Sequence, residues 1–262
     1  MNKKQKALFI ILAAIFLVTA IALVINFVPM KEDYDAYKIQ PTNQSKNSSI
    51  ASNEESLLQN PIDFKALKES NNEVVGWIQI PNTVIDYPIL QSGADTDEDF
   101  YLSRNLEKEK STKGSIYIQK INSMDFTDEN TLIYGHNMRN GSMFGSLKKF
   151  RNADFFNEND TIYIYTDKQI LKYKIYSAFV YNDRHILNEF DFSKAEDYQK
   201  FIDITLNPDT NVKNIRKDVK VTTDDRIIAL STCTNVDTER YLVVAVLIND
   251  TYTNWMMWQY FM

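Results

Sequence analysis

Residues 226–248 read RIIALSTCTNVDTERYLVVAVLI, two apolar runs rich in β-branched residues and parted by a short polar segment. Runs of this length and composition favour strands over helices, and a short polar break between them favours an antiparallel hairpin. The only cysteine of the chain, Cys233, closes the first run, and Arg240 opens the second. Similar runs recur on the N-terminal side: WIQI (77–80), TVIDYPIL (83–90), SIYI (115–118), TLIYGH (131–136), TIYIYT (161–166) and ILKYKIYSAFV (170–180). With RIIALSTC and YLVVAVLI they make eight candidate strands. In ILKYKIY, Leu171, Tyr173 and Ile175 alternate with Lys172 and Lys174, the period of a sheet wet on one face. Strands do not alternate regularly with long helices, so a doubly wound parallel sheet is disfavoured and a barrel or sandwich is expected. One segment departs from this pattern. In residues 192–206, FSKAEDYQKFIDITL, the side chains of Tyr198, Phe201, Ile202 and Leu206 share a helical face, with Ser193 as the expected cap.

The first 60 residues read differently. Residues 7–28, ALFIILAAIFLVTAIALVINFV, carry no charge, and as a helix they would reach about 33 Å, enough to cross a bilayer core. A cleaved signal peptide has a shorter apolar core and a small-x-small cleavage site, whereas this run ends in NFVPM. Lys3, Lys4 and Lys6 precede it, so the positive-inside rule keeps the N-terminus in the cytoplasm and sends the remainder outside. Residues 31–60 are polar and aperiodic, the composition of a stalk, although Leu57, Leu58, Phe64 and Leu67 offer short apolar patches near its end. The expected organisation is cytoplasmic tip and transmembrane anchor over 1–30, stalk over 31–60 and a catalytic domain over 61–262.

Composition narrows the chemistry. The chain of 262 residues has 29 basic and 35 acidic side chains; removing the three N-terminal lysines leaves 26 − 35 = −9 on residues 31–262. A body this acidic lacks the clustered Lys and Arg that bind a nucleic-acid backbone. One cysteine and two histidines exclude a disulfide framework and a Cys/His zinc site, so no metal or other cofactor is expected. The carboxylate pairs Asp97–Glu98 and Asp224–Asp225 lack calcium-loop spacing and read as solvated loops.

Cys233 sits where a buried strand enters a loop, a good position for a nucleophile; the plainer reading of a lone cysteine is a small buried hydrophobe. An unpaired thiol outside the cell is exposed to oxidation, which favours a reactive role. His136 ends the TLIYGH run, in a segment holding Gly135, Gly141 and Gly145. It is either a loop histidine or a base that meets the thiol in space across 97 residues of sequence. Arg240, seven residues after Cys233, returns beside the thiol if the hairpin forms, and is otherwise a solvated arginine. Ser231 shares Cys233's strand face, while Thr232 lies on the other. His185 has no partner motif and reads as a surface residue. NWMMWQYF (254–261) reads as a segment packed on the body or an interfacial contact.

A strand-terminal YGH, a strand-terminal LSTC and an Arg opening the next strand, on an anchored β domain without another cysteine, resemble the sortases. Those are cysteine transpeptidases that attach proteins to the wall of Gram-positive bacteria. The resemblance runs from about Val75 to Ile248 and, through the anchor, the helical start of the domain and the helix before the Cys strand, is most similar to class B. It implies a mainly β fold, a closed eight-stranded barrel with peripheral helices. It further implies catalytic roles for Cys233, His136 and Arg240, and substrate binding by Ser231 and Thr232. An Asn-Pro-x-Thr-like sorting signal would be the substrate and a peptidoglycan amine the acceptor, on the outer face of the cell membrane. Hydrolysis by a cysteine peptidase, or a wall-surface module with an idle Cys233, are the competing expectations. The usual TLxTC pattern is broken by Ala229 in the first Thr position.

Overall fold

The computed structural model describes residue 5 and residues 9–19, 34–38 and 60–252. Residues 9–19 are helical and exposed. Among the described residues no helix is long and apolar enough to cross a membrane. The rest of the expected 7–28 span, residues 39–59 of the expected stalk and the NWMMWQYF segment lie outside the described residues.

Each of the eight expected runs forms a strand: β1 (Val74–Gln79), β2 (Asp86–Gln91), β3 (Ile116–Ile118), β4 (Asn130–Tyr134), β5 (Thr161–Tyr165), β6 (Gln169–Asn182), β8 (Ile227–Cys233) and β9 (Glu239–Tyr252). They pair in the order β5-β1-β2-β3-β4-β8-β9-β6, and β6 pairs back onto β5. The circuit therefore closes into an eight-stranded barrel, which settles the choice between barrel and sandwich and leaves no free edge in the ring. A ninth strand, β7 (Lys213–Ile215), adds to β6 at Ser177–Phe179 outside the ring. Most pairings are antiparallel; β2–β3 and β4–β8 are parallel.

Side-chain alternation divides the apolar residues between two cores. Ile133, Ile228, Leu230, Val243 and Ala245 point into the barrel, together with Ile78, Ile89, Ile118, Ile164, Leu171, Tyr173 and Ile175. Their neighbours Leu132, Ile227, Ala229, Leu242, Val244 and Val246 point outward and are buried under a helix. These central strands are thus apolar on both faces, and they read as continuous hydrophobic runs for that reason. The covering helix is α4 (Ala195–Leu206), which follows α1 (Phe64–Ser70), α2 (Ala153–Glu158) and α3 (Ile186–Glu189). Tyr198, Phe201 and Ile202 are its buried face, as the periodicity predicts, and Thr205 joins them. The Tyr198 hydroxyl donates to the carbonyls of Glu129 (2.9 Å) and Asp225 (2.6 Å), pinning α4 to the start of β4 and β8. The helix begins one residue later than expected. Lys194 occupies the cap position without a side-chain capping bond, because the Ser193 hydroxyl is spent on Asp191 Oδ1 at 2.6 Å.

One short piece of the stretch read as stalk is docked on the barrel. Lys38 bridges Ile62 and its ammonium lies 2.5 Å from Asp86 Oδ2. Tyr34 meets the rings of Trp77 and Tyr87 edge-on at 5.9 and 6.2 Å. Packing against the domain therefore begins well before residue 61.

Candidate active site

The outward face of β4, β8 and β9 is covered by α4 over its lower part and open at one end. Parity carries three chemically active side chains onto that open patch. On β8, residues 227 and 229 face α4, so Ser231 and Cys233 continue the same outward row. On β9, Arg240 lies in the row of Leu242 and Val244, and its Cα is the direct antiparallel partner of Cys233. Directly opposed residues in such a ladder project to one face. The hairpin expected from the seven-residue spacing thus sets guanidinium and thiol side by side.

His136 arrives by a different route. Tyr134 pairs in parallel with Ser231, and the ladder ends with Gly135 N–H donating to the Ser231 carbonyl at 3.2 Å. Two further residues along each chain bring His136 level with Cys233. Gly135 is required here, since a Cβ would come within 2.5 Å of Ile116 Cδ1 and 2.9 Å of the Phe144 ring. The imidazole Nε2 lies 2.7 Å from the carbonyl of Leu102, in the 3-10 turn Phe100–Ser103. Cys233 is exposed, His136 and Arg240 half-buried. Arg240 Nη1 donates to the carbonyls of Asp237 (3.0 Å) and Glu239 (2.9 Å), so the β8–β9 turn fixes the guanidinium plane.

The three residues line one cleft of about 200 Å³. Its walls are the Asp99–Leu102 turn on one side and residues 182–186 on the other; Tyr117, Gln119, Tyr134 and Ser231 form the floor. The floor is internally bonded. Tyr117 Oη and Gln119 Nε2 both donate to Asp99 Oδ1 at 2.9 Å, Tyr134 Oη donates to Gln119 Oε1 at 3.4 Å, and the two tyrosine rings stack at 5.4 Å. Burial, reinforced by the Asp99 charge, holds both phenols well above their ordinary range, so they stay O–H donors at any physiological pH.

The remaining sequence candidates divide. Ser231 lies on the cleft face. Thr232 borders the cleft, but parity turns its side chain toward Tyr241, and its Oγ1 is buried without a partner. Ala229, the departure from the TLxTC pattern, packs fully buried in the α4 cluster, remote from the chemistry. Asp97 and Asp225 accept backbone N–H bonds from Asp99 (2.8 Å) and Thr222 (2.8 Å) in their loops. His185, read from sequence as a surface residue, lines the cleft with its Nδ1 buried. Sequence reasoning also passed over Asp99, Gln119 and the two floor tyrosines. The only local signal was Tyr134 standing two residues before His136, hence on its face.

Comparison with known proteins fits this geometry. A family model for the sortase domain matches residues 78–248. Sortase B of Listeria monocytogenes is 36% identical over 178 residues, covering 68% of each chain. Sortase B of Staphylococcus aureus is 33% identical over 190 residues, 71% of this chain and 74% of that one. Among solved structures, Clostridium perfringens sortase B superposes with a TM-score of 0.63 at 35% identity, covering 71% of this chain and all of the other. A Staphylococcus aureus sortase B–substrate complex gives 0.62 at 31%, covering 71% and 85%. The chain belongs to the sortase family. Within it, the protein is class B-like, a cysteine transpeptidase.

Proposed function

We propose that this sortase is held at the outer face of the cell membrane by residues 7–28, cleaves a C-terminal sorting signal of Asn-Pro-x-Thr type, and transfers the acylated protein to a peptidoglycan amine. The observation that carries the reading is the convergence of Cys233, His136 and Arg240 on one open patch at three strand ends. The Cys233 thiolate adds to the scissile carbonyl carbon, and the electron pair moves onto oxygen. Arg240 has both Nη1 hydrogens on turn carbonyls; Nε–H and the Nη2 pair remain to hold that oxyanion. Collapse of the intermediate breaks the C–N bond, and the imidazolium of His136 protonates the departing amine. In the neutral ring, the Leu102 carbonyl keeps the proton on Nε2, which leaves Nδ1 to take a proton from the incoming amine. Attack by that amine on the thioester releases the product and restores the thiolate. Ser231, which shares the cleft face of Cys233, would bond the peptide backbone.

Intact mass spectrometry of the protein with a panel of Asn-Pro-x-Thr peptides tests this. The expected result is an acyl adduct on Cys233 that an added amine resolves into a transpeptidation product. Hydrolysed peptide alone, unchanged by amine, would favour a peptidase instead. Cys233→Ala should abolish the adduct, and Arg240→Ala should lower kcat/KM at least about 100-fold, the worth of an oxyanion donor.

A further inference from the structure

The end of the barrel remote from the catalytic cleft is also hollowed. A cavity of about 420 Å³ opens beside the starts of β1, β6 and β8, whereas the cleft lies at the other ends of β6 and β8. Val74 and Val75 of β1, with Met124 from the loop before β4, make its apolar wall; Lys168, Gln169 and Arg226 line its more polar side. Met124 is 59% exposed, and so, at 51%, is Ile248, next to the Leu247 whose N–H donates to the Arg226 carbonyl. Strand β9 delivers the chain to this spot, since Tyr252 is the Cα partner of Gln169. The ten residues that follow, TNWMMWQYFM (253–262), carry no charge and hold seven large apolar or aromatic side chains. Trp255 is three Cα steps beyond Tyr252, about 11 Å at full stretch, so the cavity is within its reach. A tether this short sets an effective concentration on the order of millimolar, above that of a second copy or a separate partner. A bilayer surface takes up protruding apolar groups, whereas a recess takes an inserted side chain. An indole seated there would lie against the valines and the Met124 thioether, with its face to the Lys168 and Arg226 stems.

We propose that the C-terminal segment folds back over this end of the barrel and seats Trp255 or Trp258 in the cavity. The test uses the full chain in nanodiscs of phosphatidylcholine and phosphatidylglycerol, with p-benzoylphenylalanine in place of Trp255 or, separately, Trp258. After irradiation, the crosslinks from one of the two positions should map by mass spectrometry to Met124 or Val75 of the same chain. A second readout is oxidation of Met124 by hydrogen peroxide, followed peptide by peptide. It should run at least about fivefold slower in wild type than in the Trp255→Ala/Trp258→Ala variant, the factor for a segment docked about four-fifths of the time. Alkylation of Cys233 by iodoacetamide, at the other end of the barrel, should be equal in the two, because the fold is common to both; where it is not, the crosslinks decide. Photoproducts with lipid alone would make the segment an interfacial anchor, and photoproducts with a second chain alone would make the cavity a contact between copies. Either result, or equal Met124 oxidation in two chains that alkylate alike, would overturn the proposal.

Discussion

The two walls of the cleft are built in contrasting ways. The Phe100–Ser103 wall, which bonds His136 through Leu102, is held from behind by buried groups. Tyr101 is fully buried; its hydroxyl donates to Glu73 and accepts from Asn71 Nδ2 at 2.8 Å, and Glu73 is also 3.0 Å from Lys108 Nζ. The polar contacts of the 182–186 wall face solvent, chiefly Arg184 with Glu189, whose side chains are 65% and 25% exposed, and its buried anchor is apolar, Ile186 in the cluster under α4. Buried hydrogen bonds fix geometry, while exposed ion pairs contribute little. The difference gives the side that bonds His136 a buried polar frame and the opposite side an apolar anchor with exposed ion pairs.

The sharpest way to break the contrast is at Gly114. Its φ is +57°, and a Cβ there would fall 2.3 Å from the Leu102 carbonyl oxygen, the atom that His136 bonds. Gly114→Ala should cost about 1–2 kcal/mol of stability from the left-handed backbone alone. By shifting the carbonyl it should also lower kcat/KM between about tenfold and a hundredfold. A variant with lowered Tm but wild-type kcat/KM would show that the Leu102 contact does not position the base.

A smaller effect is expected at Glu73. Burial pushes its carboxyl up, but bonds from Tyr101 and Lys108, the Lys108 charge and the Gly93 N–H outweigh this and hold it below the ordinary glutamate value. A depressed carboxyl contributes stability above the unfolded value, about 4.3, and loses that contribution as pH falls through the folded value. Melting curves between pH 7 and 3 should show this acid limb in the wild type and a flatter one in Glu73→Gln, whose Tm at pH 7 should lie about 2–6 °C lower. The smallest effect belongs to the other wall: Arg184→Ala should change Tm by less than about 2 °C and kcat/KM less than about threefold. A larger loss at Arg184 than at Glu73 would reverse the comparison.

The same contrast marks what the sequence made legible. The eight ring strands announce themselves because they are buried on at least one face and need β-branched and aromatic residues. The Cys233–Arg240 pair was readable because a tight antiparallel hairpin converts sequence spacing directly into opposition. The meeting of His136 with Cys233 depends on the parallel β4–β8 neighbourhood, which no local pattern encodes. β7 was missed since Lys-Asn-Ile carries no alternation and exists only by pairing with β6. His185 was misread because its place is set by the fold-back of residues 182–189, not by its own neighbours in sequence.

The docked Tyr34–Lys38 segment changes the geometry of tethering. A free stalk over residues 31–60 would let the barrel range up to about 100 Å from its anchor. With Tyr34 seated on Trp77 and Tyr87, and the Asp63 N–H donating to the Tyr37 carbonyl at 2.7 Å, the chain is gripped much earlier. From the end of the proposed anchor at residue 28 to Tyr34 there are six Cα steps, about 21 Å at full stretch. The enzyme would then work on a short leash, sampling substrates as they emerge at the bilayer surface, and any pull between wall and membrane would load the β1–β2 side of the barrel before residues 39–59.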